Sequence, residues 1–364
     1  MKKVCVQTWF NSLNFGTTLQ AYALFCKLRS LGYDVAILDG IGQGLQDLLN
    51  RIKVLISRTF VHREPKWMHE RRRAVRKWCT NNFIIHHINS KKDLEAVIQE
   101  TDCFISGSDQ IWNTYFEFNT AMFLSFAQEK KRISYASSIG TANVNPIHAN
   151  AIRELLSLYS HISVREETGA RALQQLTGRS DITQVPDPTF LLSKDEWLSL
   201  DQGVNDSIQK PYILCYLLGS NPEYPNFIKK ISTCYNASNV VLTPSLENPG
   251  LSIPNSQILT TLNASQFIHL ISHAQLICTD SFHATALAAI MQRPFIDFLR
   301  FSDGDTLSQN SRIHDLLSHL NLNDRIFTHS RVIPQGKIDF SKVNQIIELD
   351  RKLGTEYLKA SIEN

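Results

Sequence analysis

The sequence predicts an α/β protein built as two Rossmann-like domains facing a cleft. Three observations carry this. Short apolar runs alternate with stretches of helical spacing, the pattern of parallel sheets. That alternation breaks once, over residues 186–210, where Pro186, Pro188 and a polar stretch (Ser193, Lys194, Asp195, Asp201, Gln202, Asn205, Asp206) intervene, and then restarts. A chain of 364 residues is also long for one core and comfortable for two. The expected division is residues 1–190, residues 210–335 and a C-terminal helix over 336–364.

The elements follow in order. Val4-Cys5-Val6 reads as a strand. Thr17 to Leu31 has helical spacing through Leu19, Tyr22, Ala23, Phe25 and Cys26, and stops at Gly32. Val35 to Leu38 is the next strand, and residues 67–80 and 91–99 read as helices. Cys103-Phe104-Ile105 is a strand that ends abruptly in Ser106-Gly107-Ser108-Asp109-Gln110-Ile111-Trp112-Asn113, a loop dense in hydrogen-bonding side chains. Arg132 to Ala136 leads into Ser137-Ser138-Ile139-Gly140, and His161 to Val164 leads into Arg165 and a helix from Glu166 to Leu176. Ile182 to Val185 ends at Pro186-Asp187-Pro188. Beyond the break, Tyr212 to Leu218, Val240 to Leu242, Leu276 to Cys278 and Pro294 to Phe298 read as strands. Tyr224 to Cys234, Ser265 to Ser272 with Asn263 as N-cap, Ser281 to Met291 and Ile313 to Leu320 read as helices.

Composition narrows the function classes. A formal net charge of +3 is too small to imply nucleic acid as a partner. Residues 51–77 nevertheless hold ten Lys/Arg against two acids, mixed with apolar residues from Leu48 onward. This segment is read either as a solvated helix face or as a contact to an anionic membrane surface, where each basic residue contributes roughly 1 kcal/mol. The seven cysteines include no C-x-x-C, and Cys5, Cys103, Cys215 and Cys278 sit in apolar strand-like runs. Neither a disulfide framework nor a metal cluster is expected, and a reducing cytoplasm is. The start, M-K-K-V-C-V-Q-T-W-F, lacks the apolar core of a signal peptide. No uninterrupted apolar run reaches the length of a membrane span.

Some motifs fail. Gly40 to Gly44, G-I-G-Q-G, lacks the G-x-G-x-x-G spacing, and Asp303-Gly304-Asp305 reads as a surface turn. Others gain weight because each follows a strand and opens a helix, where open α/β sheets bind ligands. Asn14 to Gln20 is a glycine-containing loop entering a helix, readable as an anion site or a plain N-cap. Arg165 at a strand's carboxyl end is expected to point into the crevice, where its planar fork suits a carboxylate or phosphate, unless it pairs with Glu166 or Glu167. Thr279-Asp280-Ser281-Phe282-His283 places an ionisable side chain at a helix start, with the small residues Ala284, Ala286, Ala288 and Ala289 behind it.

Five of these stretches together resemble the polysaccharide pyruvyl transferase family. They are N-F-G-T-T-L-Q-A-Y-A-L at Asn14 to Leu24, G-S-D-Q-I-W-N at Gly107 to Asn113, S-V-R-E at Ser163 to Glu166, D-P-T-F-L-L at Asp187 to Leu192 and T-D-S-F-H at Thr279 to His283. The family commonly has Gly after the S-F-H histidine, where this chain has Ala284. The resemblance implies a fold similar to glycosyltransferase-B enzymes, phosphoenolpyruvate as donor, a sugar hydroxyl pair as acceptor, and a pyruvate ketal on a surface polysaccharide or lipid-linked precursor. No cofactor is expected beyond phosphoenolpyruvate as co-substrate, and no His/Cys/Asp cluster shows metal spacing. The resemblance maps donor binding onto Arg165 and His283, with Phe282 beside them and Ser281 at the helix start. His283 is a candidate proton shuttle, since an ordinary histidine titrates near neutral pH. Asp109 is a candidate general base toward the sugar, or alternatively a turn cap. Asn14, Gln110 and Asn113 are candidates for holding sugar hydroxyls. Arg165→Ala is expected to abolish donor binding with the fold intact. Competing readings are a nucleotide-sugar glycosyltransferase of similar fold and a non-catalytic binding protein. The expected location is the cytoplasm, with contact at the inner membrane face through residues 51–77.

Overall fold

Two all-parallel sheets organise the chain. The structure, a computed structural model, describes residues 1–41, 65–204, 207–246, 248–301, 308–327, 333–334 and 336–364. In the first sheet, β1 (Lys3–Gln7), β2 (Asp34–Asp39), β3 (Ile85–His87), β4 (Cys103–Ser106) and β5 (Lys131–Ser134) lie in the order β3-β2-β1-β4-β5. A short parallel pair, β6 (Ser163–Val164) and β7 (Thr183–Gln184), extends that edge through a bridge between Ile133 and His161. In the second sheet, β8 (Tyr212–Tyr216), β9 (Asn239–Leu242), β10 (Ser256–Ile258), β11 (Leu276–Thr279), β12 (Phe295–Phe298) and β13 (Ile326–Phe327) lie in the order β10-β9-β8-β11-β12-β13. In both sheets the chain steps outward one way, then reverses and steps out the other way, as in doubly wound folds. The reversal falls between β1 and β4 in one sheet and between β8 and β11 in the other.

Strand sequences explain why both faces are covered. Val4 and Val6 of β1 join one apolar cluster while Cys5 joins another on the opposite face. In β8, Tyr212, Leu214 and Tyr216 face one way and Ile213 and Cys215 the other, and all five are buried. Strands buried on both sides read as continuous apolar runs rather than alternating ones. The central cluster contains residues from both sheets, so the two units share one core. Helix α1 (Phe15–Ser30) lies within it, and its Phe15 ring stacks on Phe267 with centroids 4.7 Å apart.

Helix α2 (Lys66–Asn82) and helix α3 (Lys91–Glu100) occupy the first half. The remaining helices are α4 (Ala149–Ser157), α5 (Glu167–Thr177), α6 (Lys194–Leu198), α7 (Tyr224–Cys234), α8 (Ala264–His273), α9 (Phe282–Ile290), α10 (Ser311–His319) and α11 (Phe340–Glu363). Asn263 caps α8 through a capping box with Gln266, as its sequence position suggests. Helices α4 and α6 and strands β3, β10 and β13 are additions to the sequence-based expectation; the short strands carry too few residues for a periodic signal. Within the described residues the basic segment is not a uniform solvated face. Arg71 is fully buried, and its guanidinium donates to the carbonyls of Pro244 (2.6 Å) and Thr260 (2.6 Å) across the two halves. Residues 51–64, Gly42 to Gly44 and Asp303-Gly304-Asp305 lie outside the described residues. No helix among the described residues is long and apolar enough to cross a membrane.

Candidate functional site

The carboxyl ends of the four reversal-point strands open onto one cavity of about 1520 Å³. Gln7 to Phe10 after β1 and Asp109-Gln110 after β4 form one wall, and Leu218 to Ser220 after β8 and Ser281 to His283 after β11 form the other. Two helix N-termini converge there. Asn14 caps α1, its Oδ1 accepting from the Gly16 N–H (3.0 Å) and from the Tyr216 hydroxyl (3.2 Å). Ser281 stands at the N-cap of α9 but its side chain makes no capping bond, so the helix start keeps donors for an anion.

Glycine is required where the two helices meet. A Cβ on Gly16 would sit 2.5 Å from both Cβ and Nδ1 of His283. The His283 ring is therefore held against bare backbone, and its other nitrogen, Nε2, lies 3.5 Å from Asp187 Oδ2 and 3.5 Å from Arg165 Nη1. Asp187 also accepts from Arg165 Nη1 (2.9 Å) and from the Thr189 backbone N–H (2.9 Å). Burial alone would raise its pKa, but the charges of His283 and Arg165 outweigh that and hold the carboxyl well below the usual range. Asp109 behaves alike: burial raises it, and His283, Arg165 and the Thr17 hydroxyl, which donates to Oδ2 at 2.7 Å, bring it below the ordinary value. A carboxylate so stabilised is a weaker proton acceptor than a free aspartate. Asp109 also stands at φ 68°, a left-handed conformation that Asp tolerates better than most residues. Its Oδ1 accepts from the adjacent Gln110 N–H (2.9 Å), a local turn bond.

Arg165 departs from the expectation in two ways. It does not line the large cavity. Its buried guanidinium packs 4.2 Å from the Phe282 ring centroid and pairs with Glu166 (2.8 Å) and Asp187 (2.9 Å), facing a smaller cavity of about 150 Å³ behind. Phe282 and Arg312 line both cavities and form the partition. The expectation that Arg165→Ala leaves the fold intact is also corrected: it would strand two buried carboxylates, at a cost of about 3–5 kcal/mol. Arg165 Nη2 is buried with no hydrogen-bond acceptor, which marks a donor available to a bound anion.

The remaining candidates divide. Gln110 lines the cavity and bonds both Gln309 (3.0 Å) and Asn113 (2.8 Å). Asn113 is buried behind it, its Oδ1 accepting from the Tyr115 N–H (3.2 Å), and it is not part of the cavity lining. Gly140 packs against both amides, so the Ser137 to Gly140 loop fixes their position. The sequence reading missed Arg300, Arg312 and Gln309, all in the lining. Burial, then the charges of Arg165 and Arg300, push Arg312 down to about 9, so Arg312 is a cation held under strain beside His283. Arg300 was findable by the rule that found Arg165, since it follows β12 at its carboxyl end. Arg312 was not, because nothing local marks a helical arginine as buried. Among the described residues, Asp201, His269 and His273, which the sequence reading did not single out, bring three potential ligand atoms within 4.8 Å of one another, away from this cavity's lining.

A family model described as polysaccharide pyruvyl transferase matches residues 14–300. No curated protein sequence matches the chain. Among solved structures, UDP-GlcNAc 2-epimerase from Neisseria meningitidis bound to UDP-GlcNAc is similar at 14% identity and TM-score 0.52, over 100% of this chain and 93% of that one. A putative UDP-N-acetylglucosamine 2-epimerase from Listeria monocytogenes is similar at 14% identity and TM-score 0.50, over 98% and 90%. At this identity the likeness establishes the fold, two Rossmann-like units of the glycosyltransferase-B type, and nothing about the reaction.

Proposed function

The chain belongs to the polysaccharide pyruvyl transferase family, and on that premise we propose that it moves the enolpyruvyl group of phosphoenolpyruvate onto a sugar hydroxyl pair. The observation that carries this is the concentration of Arg165, Arg300 and Arg312 around His283 and the start of α9. A buried cation such as Arg312, depressed by burial and by two nearby arginines, is a costly arrangement that a small polyanion relieves. Phosphoenolpyruvate, with a carboxylate and a phosphate, is such an anion. His283, Arg312 and the N–H groups of Phe282 and His283 at the start of α9 hold it, and Arg165 adds its charge through the partition. The acceptor lies toward Asn14, Asp109 and Gln110, with Asn113 bracing Gln110, in a cavity much larger than the donor needs.

Ketal formation then balances as follows. The donor methylene carbon gains a proton and becomes methyl. One sugar hydroxyl adds to the resulting cationic carbon, phosphate leaves, and the second hydroxyl closes the ring. Of the two hydroxyl protons released, one replaces the proton spent on carbon and the other departs with phosphate. His283 supplies or relays the proton to carbon, and Asp109 takes one from the hydroxyl. No cofactor or metal enters these steps. The assay is incubation with phosphoenolpyruvate and lipid-linked sugars, read by mass spectrometry. The expected outcome is a gain of pyruvate less one water with release of phosphate, and loss of about a hundredfold or more in turnover for His283→Ala. Release of UDP from a nucleotide sugar instead would assign the chain to glycosyltransfer, which its fold also accommodates. We place the protein in the cytoplasm at the inner membrane face. The support is the exposed cations of α2, Lys66, Arg73 and Lys77, on the helix that also carries the cavity-lining Arg76. Co-sedimentation with anionic vesicles that weakens with salt is the expected behaviour, and salt-insensitive absence of binding removes that part.

A further inference from the structure

A second cluster of ligating side chains lies on α8, outside the cavity lining described above. His269 and His273 are four residues apart, so both imidazoles project from one face of the helix, with ring centroids 4.2 Å apart. Asp201 comes from the segment that follows α6 and joins the two sheets. Its Oδ1 lies 2.8 Å from His269 Nδ1 and its Oδ2 lies 3.6 Å from His273 Nδ1. Neighbouring ligands of a tetrahedral zinc ion stand about 3.3 Å apart, given metal–nitrogen bonds near 2.0–2.1 Å. These two spacings run to different oxygens of the carboxylate, and one ligand atom from each of the three residues lies within 4.8 Å of the other two, a grouping that small side-chain rotations bring to that spacing.

We propose that Asp201, His269 and His273 form a three-ligand site for a divalent transition metal of zinc's class, which clasps the inter-sheet segment onto α8. Two imidazoles and one carboxylate suit zinc better than magnesium or calcium, which prefer all-oxygen sets. The site is reachable: the His273 side chain is 38% exposed, which leaves room for water as a fourth ligand, while Asp201 and His269 are mostly covered at 18% and 17%. A supporting shell is present. The Gly203 N–H donates to Asp201 Oδ1 (2.8 Å), and Ser272 Oγ reaches both Asp201 (3.4 Å) and His273 Nδ1 (3.0 Å). His273 Nδ1 also lies 3.1 Å from the His269 carbonyl, the partner this nitrogen takes without a metal.

The location gives the site its consequence. Helix α8 also carries Phe267, stacked on Phe15 of α1, and Ser265, whose hydroxyl accepts from Trp78 of α2 (2.7 Å). A metal there fixes the connecting segment to the helix on which both halves converge. It stands apart from the proposed chemistry, so its test does not depend on any transferase assay. Zn²⁺ is titrated calorimetrically into chelator-treated, tag-free full-length protein, and melting is followed with and without Zn²⁺. Expected are one ion per chain and a midpoint raised by several degrees when zinc exceeds its Kd about 100-fold, both lost in Asp201→Asn and in His273→Ala. His273 is partly exposed and not part of the apolar core, so its variant keeps the fold. No binding, binding retained in both variants, or an equal stabilisation by Mg²⁺ would each overturn the proposal.

Discussion

Gly16 and His283 are 267 positions apart in sequence, yet the site depends on their contact. The histidine ring has a fixed orientation because one nitrogen abuts helix backbone and the other faces a buried carboxylate and guanidinium. Adding one methyl group at Gly16 removes the space the ring occupies, since a flexible side chain's far end could yield but a Cβ and ring root cannot. Gly16→Ala is therefore expected to displace His283 and cut turnover by about a hundredfold, the typical cost of misplacing a reacting group by an ångström. Helix α1 gains propensity from alanine, but forcing the buried ring aside costs about 1–3 kcal/mol, so melting should fall by a few degrees while turnover falls far more. Turnover and melting measured side by side check this; normal turnover would show that the ring's position does not govern the reaction. The resemblance to G-S-D-Q-I-W-N named the family without locating the donor charges. Its Trp112 is core, stacked on Phe123 at 5.1 Å, and its Asn113 braces Gln110 from behind. Only Asp109 and Gln110 of that loop reach the cavity.

At the level of elements, the legible parts were those with local causes. Strands buried on both faces are apolar throughout, helices stop at Gly32 and start at Asn263, and ligand loops follow strands. Each is written in a few adjacent residues. What escaped depends on distant partners. Arg71 belongs to a run of four basic residues in six, Arg71 to Arg76, and reads as solvated or membrane-facing. In the fold it is the clamp between α2 and the loops of the second sheet, stacked 5.1 Å from the Phe15 ring and 4.6 Å from Trp67. Burial pushes its guanidinium down to about 10. Its neighbour Arg72 and then Arg76 turn toward the cavity instead. Three arginines of one helix thus serve two different surroundings, and no composition rule separates them. Arg165 shows the converse error: the strand-end rule placed its backbone well, but rotamer and partners, set by Glu166 and Asp187, turned its head away from the large cavity.

Over the whole molecule, the sequence break at residues 186–210 suggests two units that could melt separately. The packing argues otherwise. One apolar cluster runs from Val4 and Val6 of the first sheet to Leu214 and Tyr216 of the second. Helix α11 closes the circuit: Val343, Ile347, Leu358 and Ile362 are buried in the same cluster. Its far end returns to the first sheet, where the Tyr357 hydroxyl donates to the Ser134 carbonyl (3.0 Å), Lys2 Nζ donates to the Ile362 carbonyl (2.9 Å) and Tyr33 bonds Glu363 (2.8 Å). Exposing a core shared by both units costs each of them, so neither has a native state of its own to retain. Calorimetry is expected to give one cooperative transition, despite the usual tendency of multi-unit chains to unfold in steps. Leu358→Ala should cost about 2–5 kcal/mol and move that transition down without splitting it. Two resolved transitions in the parent protein, or a split peak in the variant, would show that the sheets are held together by less than the buried cluster implies.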